Sequence, residues 1–251
     1  MGTAVLVTVL LWWFSTGLLI LLCAMPPATF KWSFAAGFLL AAASVYGVAA
    51  SAWQTGETAA YKGFLSALGV WAWLEMGFLM GFVTGPRRDA CPPEARGWQR
   101  FRLAFATLIY HELTIAASAA ALVWLTWGAP NQTGTLAFLI LTVMRISAKL
   151  NIFLGVPELT DMFLPARLSY LKSYFQKRRF NALFPVSMLG SAVAAWALFT
   201  FGYGPGSNLL LTLLLLGVAE HLFMVLPVRD AVLFLWALPP GGAKPTAKSV
   251  P

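Results

Sequence analysis

Charge is what this sequence has least of. Asp, Glu, Lys and Arg make up 10% of its 251 residues, where a soluble domain of that length carries about a quarter. That shortage, with 59% hydrophobic residues and a mean hydropathy of +0.75, excludes a water-soluble globular domain and points to a polytopic membrane protein. Cysteine is scarce too. Cys23 falls in the first apolar run and Cys91 in a basic connection, and two thiols in such different settings make neither a disulfide framework nor a metal motif. No phosphate-binding glycine loop and no nucleophile elbow is present, so motifs assign no soluble-enzyme chemistry. Asn131-Gln132-Thr133 fits the glycosylation pattern, but so short a match is weak. Histidine occurs twice, at His111 and His221, and both lie inside apolar runs.

What is abundant is apolar sequence in lengths that suit a bilayer. A membrane helix needs about 20 mostly apolar residues, and on that measure the chain reads as an all-α bundle of about seven transmembrane helices, over 4–24, 32–52, 62–83, 101–127, 134–154, 184–201 and 207–226. The start has no positive n-region and its apolar run exceeds a signal-peptide core, so it reads as an uncleaved first span. The domain expectation is one transmembrane unit over 1–238 and a disordered tail over 239–251. Net charge is +8. The cations sit in connections rather than on a soluble face, which argues against nucleic acid as a partner and for membrane orientation. Lys31, then Arg87, Arg88, Arg96, Arg100 and Arg102, then Arg167, Lys172, Lys177, Arg178 and Arg179, then Arg229, Lys244 and Lys248 fall on one side; only Lys62 falls on the other. The positive-inside rule then puts the N-terminus out and the C-terminus in.

Small residues recur at Gly77, Gly81 and Gly85 in the third span and over 116–121 in the fourth, where helices can approach closely; packing within the chain is the expected use. Trp12, Trp13, Trp53, Trp98, Trp127 and Trp236 read as interfacial anchors. The piece 157–179 is too polar to span. Leu164, Leu168, Leu171 and Phe175 recur at helical spacing, with cations elsewhere on the wheel, so it either lies along the inner membrane surface or docks as a loop helix on the bundle. Its cations Arg167, Lys172, Lys177, Arg178 and Arg179 are candidate contacts to membrane lipid or a partner.

The informative feature is a set of ionisable residues inside apolar spans, where a charge is costly and faces a partner, water or a substrate. Arg145 and Lys149 lie one helical turn apart on one face. Glu75, His111-Glu112 and Glu220-His221 lie in three other spans. Counting about 1.5 Å per residue from the cytoplasmic ends, all fall in one layer roughly 8 to 15 Å deep. Four uses of this layer stay open: a near-neutral buried ion network of Glu75, Glu112, Glu220, Arg145 and Lys149; a metal cluster, disfavoured because His111-Glu112 and Glu220-His221 are adjacent and about 100° apart on the wheel; tetrapyrrole binding with His111 and His221 as axial ligands; and a proton or ion path.

The motifs WWFSTG (12–17), EMGFLMGFVTGPRR (75–88), CPPEARGWQRFRLA (91–104), TWGAPNQTGT (126–135), MRISAKLNIFLGVPELT (144–160), YLKSYF (170–175) and NALFPVS (181–187) together resemble the PuhE-type photosynthetic complex assembly proteins of purple bacteria, in order, over nearly the whole chain. The resemblance implies membership of the photosynthesis gene set near the gene for the reaction-centre H subunit, a bacterial inner-membrane location (cytoplasmic or intracytoplasmic, multi-pass), and a part in assembling reaction-centre or light-harvesting complexes. It transfers no catalytic residue and no cofactor. One departure is expected, a second histidine where Tyr110 stands here.

The resulting expectation is a non-enzymatic membrane assembly factor with reaction-centre or light-harvesting subunits as partners. It would hold bacteriochlorophyll or an unassembled subunit near the inner leaflet, with His111 and His221 as candidate magnesium ligands. The alternative is a membrane-embedded oxidoreductase or other enzyme acting on a tetrapyrrole or lipid.

Overall fold

The computed structural model describes residues 2–158, 164–228 and 230–237. The expected tail over 239–251 lies outside the described residues, with Lys244 and Lys248, as do Arg229 and residues 159–163 of the amphipathic piece. Among the described residues there are helices and no strands: α1 Gly2–Ala24, α2 Phe30–Ala52, α3 Glu57–Leu79, α4 Gly97–Ala106, α5 Ile109–Leu125, α6 Thr133–Leu154, α7 Leu183–Phe201 and α8 Gly204–Phe223, with 3-10 segments at Ala166–Tyr174 and Asp230–Ala237.

Five helical stretches are long and apolar enough to cross a membrane, and six if α4 and α5 count as one bent span. The expected third span, α3, is not among them. It is 23 residues long, but it is the central helix and need not be apolar towards lipid. Ala59, Ala60, Gly63, Phe64, Ala67, Val70 and Leu74 are buried along it, packing on α2, α6 and α8 with Val48, Ile115, Phe138, Leu209 and Leu213 as the core. A Cβ on Gly134 of α6 would stand 2.7 Å from the Gly63 carbonyl oxygen, so backbones meet at that crossing. By contrast α7 buries only Ser191. Its apolar residues face outward, as a lipid-facing helix requires.

Three expectations are corrected here. The third span does not run to residue 83. α3 ends at Leu79, and Gly81 takes a left-handed φ of 76° that a side chain would strain, so Gly77 stays in the last helical turn while Gly81 and Gly85 fall in the connection after it. The run 116–121 packs on the core only through Ala119, since Ala116, Ala117, Ala120 and Ala121 are exposed. Trp12, Trp13 and Trp236 meet the chain itself rather than standing apart at span ends: Trp13 donates to the Leu233 carbonyl at 2.7 Å, Trp12 meets Phe234 edge-on, and Trp13 lies against Trp236, so the C-terminal 3-10 segment is folded back along the middle of α1.

The expected straight fourth span is broken at Thr107–Leu108 with a bend of 69°. Breaking a helix within a membrane frees backbone groups that must find protein partners. Here the connection after α3 supplies them. Arg87 N donates to the Ala106 carbonyl (3.2 Å), and His111 N donates to the Thr84 carbonyl (3.1 Å). Gly85 lies so close to Ala106 and Thr107 that no side chain fits there.

The 3-10 segment Ala166–Tyr174 takes the docked form of the two expected for the amphipathic piece. Leu168, Leu171 and Tyr174 are buried, and Leu164 and Phe175 join them against Phe78, Leu79 and Leu108. The basic connections meet at one end of the bundle: Arg167 from this segment donates to the Met80 carbonyl (2.8 Å) and lies over the Phe30 ring, while Glu158 N donates to the Met224 carbonyl (3.0 Å). At the other end Asn131 ties the α5–α6 turn to α2, donating to the Ser51 and Ala52 carbonyls at 3.0 Å each.

Candidate functional site

The intramembrane polar residues form two clusters, one on each side of α6. On the first side α3, α5 and α6 meet. Arg145 Nη2 donates to Glu75 Oε2 at 2.7 Å, and Lys149 Nζ to Glu112 Oε1 at 2.5 Å. The one-turn spacing of Arg145 and Lys149 gives each its own carboxylate, and the 100° step between His111 and Glu112 sends the imidazole to Glu75 and the carboxylate to Lys149. His111 is fully buried. Its ring stacks on Phe78 with centroids 4.6 Å apart, and its Nε2 stands 3.7 Å from Glu75 Oε1. Both ring nitrogens and that carboxylate oxygen lack a hydrogen-bond partner. The cluster thus pairs two carboxylates with two cations and keeps an imidazole facing a carboxylate just beyond hydrogen-bond distance. Such a set holds the two cations of α6 in place.

On the second side α6, α7 and α8 meet without a formal charge. His221 Nδ1 lies 2.9 Å from the Gly217 carbonyl. A carbonyl only accepts, so Nδ1 donates to it, and Nε2 lies 2.9 Å from Ser147 Oγ. Ser187 Oγ lies 2.8 Å from Ser147 Oγ, and Asn151 donates to the Ser147 carbonyl (2.9 Å) and to Ser187 Oγ (3.2 Å). Asn151 is fully buried. The adjacent Glu220 leaves this cluster and accepts from the Trp12 indole at 2.7 Å. The residues read from depth therefore fall as Glu75, His111, Glu112, Arg145 and Lys149 in one group, His221 in a second, and Glu220 of α8 turned towards Trp12 of α1. Ser147, Asn151 and Ser187 were missed, because neutral polar residues do not stand out by charge; the i, i+4 spacing of Ser147 and Asn151 in an apolar helix was the available signal.

Between α1, α3, α6 and α8 lies a cavity of about 430 Å³. Glu75 and Arg145 form part of one wall and Trp12 and Glu220 part of another, while Leu233 and Phe234 of the C-terminal 3-10 segment cover it. Neither histidine lines it.

At the basic end the five predicted contact residues differ in role. Arg167 is held against Met80 and Phe30 as described, whereas Lys172, Lys177, Arg178 and Arg179 have exposed side chains. Arg100 and Arg87 carry the docking instead. Arg100 donates to the Phe153 carbonyl (3.2 Å) and the Tyr174 carbonyl, and Arg87 Nε donates to the Tyr174 hydroxyl at 2.8 Å.

No solved structure matches the chain. An uncharacterized 30.4 kDa protein in the puhA 5' region of Rhodobacter capsulatus is 39% identical over 245 residues, covering 93% of this chain and 89% of that protein. The family model DUF3623, described as protein of unknown function, matches residues 1–244, and on that coverage the chain belongs to the DUF3623 family.

Proposed function

We propose that this protein is a PuhE-type assembly factor for the bacterial photosynthetic apparatus. It would sit in the inner membrane with about seven spans, N-terminus out and C-terminus in. The observation that carries the reading is the relative's place in the puhA 5' region, taken with the motif resemblance over the same length. The topology draws support from the bundle ends: basic connections gather at one end and the uncharged turn at Asn131 lies at the other, as the positive-inside rule requires. α3, enclosed by its neighbours, supplies the crossing that its own hydropathy does not announce.

In this reading the protein holds an unassembled pigment-binding subunit. The outward apolar face of α7 meets the client's span, and Lys172, Lys177, Arg178 and Arg179 meet anionic lipid or the client's cytoplasmic part. Direct ligation of bacteriochlorophyll magnesium sets a harder condition. His111 would have to leave Phe78 and Glu75, and His221 would have to give up Ser147 or Gly217, so the subunit-holding form is the one proposed. The test is a pigmented strain lacking the gene. Loss of assembled reaction-centre or light-harvesting complexes, with a normal set of pigment precursors, supports the assembly role. Accumulation of one pigment intermediate replaces it with an enzyme acting on a tetrapyrrole. Unchanged complexes and pigments would reject both.

A further inference from the structure

We infer that the cavity between α1, α3, α6 and α8 binds a neutral amphiphile, with an oxygen-bearing head beside Arg145 and a hydrocarbon tail lying between α1 and α2. This goes beyond the assembly reading and stands without it. The first observation is continuity. A second, more apolar cavity of about 890 Å³ runs between α1, α2 and α3, past Leu18, Leu40, Leu65 and Trp73, and shares Ser15, Leu19, Leu68 and Ala72 with the first. Each volume falls within the range of small-molecule pockets, roughly 300–1,000 Å³. Leu18, Leu40 and Leu65 are more than half exposed, so the outer cavity is open towards the lipid side and gives lateral entry.

The second observation is the donor set. Arg145 keeps 37% of its side chain accessible although Glu75 is nearly buried, and the guanidinium has five N–H donors of which the Glu75 contact uses one. Thr8 lines the same cavity, and its buried hydroxyl has no hydrogen-bond partner. These groups call for an acceptor on the ligand. The third observation is charge. Among the described residues, Glu75 and Glu158 line the cavity beside one guanidinium, Arg145, which Glu75 already pairs, so a phosphate or carboxylate head would add like charge in a poorly solvated place. A carbonyl, ester or quinone oxygen accepts from Arg145 without that cost. Quinones with alkyl or isoprenoid tails and tail-esterified pigments share this chemistry.

The test uses the full chain in detergent micelles and decylubiquinone as probe, read by quenching of tryptophan emission, because Trp12 and Trp71 line the cavity. The expected result is saturable quenching that weakens at least tenfold in Ala72→Phe and in Ser15→Leu, each of which fills the neck shared by the two cavities. Replacing the pair together, Glu75→Leu with Arg145→Leu, should weaken it as much while sparing the fold. Non-saturating quenching, or equal affinity in the neck variants, overturns the inference. So does displacement by phosphatidylglycerol at the same concentration, which would make the head site anionic. Solvent extraction of protein from pigmented cells and mass analysis then distinguishes a bound quinone from a bound pigment; a charged lipid as the sole extract would again count against it.

Discussion

The two faces of α6 solve the same problem in different ways. Residues 145 and 149 look one way, and residues 147 and 151, about 200° and 240° round the helix from Arg145, look the other. Towards α3 and α5 the helix presents full charges, each matched by a carboxylate at hydrogen-bond distance. Towards α7 and α8 it presents a hydroxyl and an amide, matched by Ser187 and His221. The charged face depends on strict pairing, because removing one member of a buried pair leaves the other uncompensated. The neutral face shares its bonds among several groups, and each is worth about 1 kcal/mol or less. One helix thus carries a brittle side and a forgiving one.

The sharpest way to break the comparison is Glu75→Ala. It strands the partly accessible Arg145 guanidinium and removes the group facing His111, and should cost about 1–3 kcal/mol, between an exposed and a fully buried pair. Unfolding in mixed detergent micelles, followed by tryptophan emission, measures it. A loss below about 1 kcal/mol would mean that the pair behaves as a surface ion pair. Its control is the double change Glu75→Leu with Arg145→Leu. Replacing a buried pair by apolar residues of similar volume is often neutral or stabilising, so the double variant should lie within about 1 kcal/mol of the parent or above it. If it is as unstable as the single variant, Glu75 does more than balance charge.

How far these pairings could be read in advance follows from what depth reports. Residue counts from span ends located the layer, since rise along a helix is fixed. They could not say which groups meet, because that depends on how each helix is rotated and which neighbour it faces. His111 and His221 share a depth but stand on opposite sides of α6. Glu220 accepts from the Trp12 indole, a contact that depends on α1 lying beside α8. The bend at Thr107–Leu108 has no glycine or proline of its own to announce it. It is held by Thr84, Gly85 and Arg87 from a distant connection, and such a break is a tertiary event. The C-terminal segment over Trp12 and Trp13 was missed for the same reason, as eight mostly apolar residues are too few to read as a span.

A smaller effect belongs to the neutral face. Ser147→Ala removes one hydroxyl between His221 and Ser187, and should cost about 0.5–1.5 kcal/mol by the same unfolding measurement. Asn151 and Ser187 keep other bonds, so the cluster persists. A loss matching that of Glu75→Ala would erase the distinction between the faces.

The finest test asks whether the two faces are independent, and its expected effect is almost nothing. Ser147 and Lys149 are two residues apart, yet they share no partner: Ser147 bonds on the α7–α8 side and Lys149 on the α5 side. Effects at sites without shared partners add within about 0.3–0.5 kcal/mol. Ser147→Ala and Lys149→Met should therefore be additive, while Lys149→Met and Glu112→Gln, which remove two ends of one bond, should not. Strong coupling between Ser147 and Lys149 would mean that α6 transmits strain from one cluster to the other. The imidazole beside Glu75 and the imidazole beside Ser147 would then act as one unit, despite the helix that separates them.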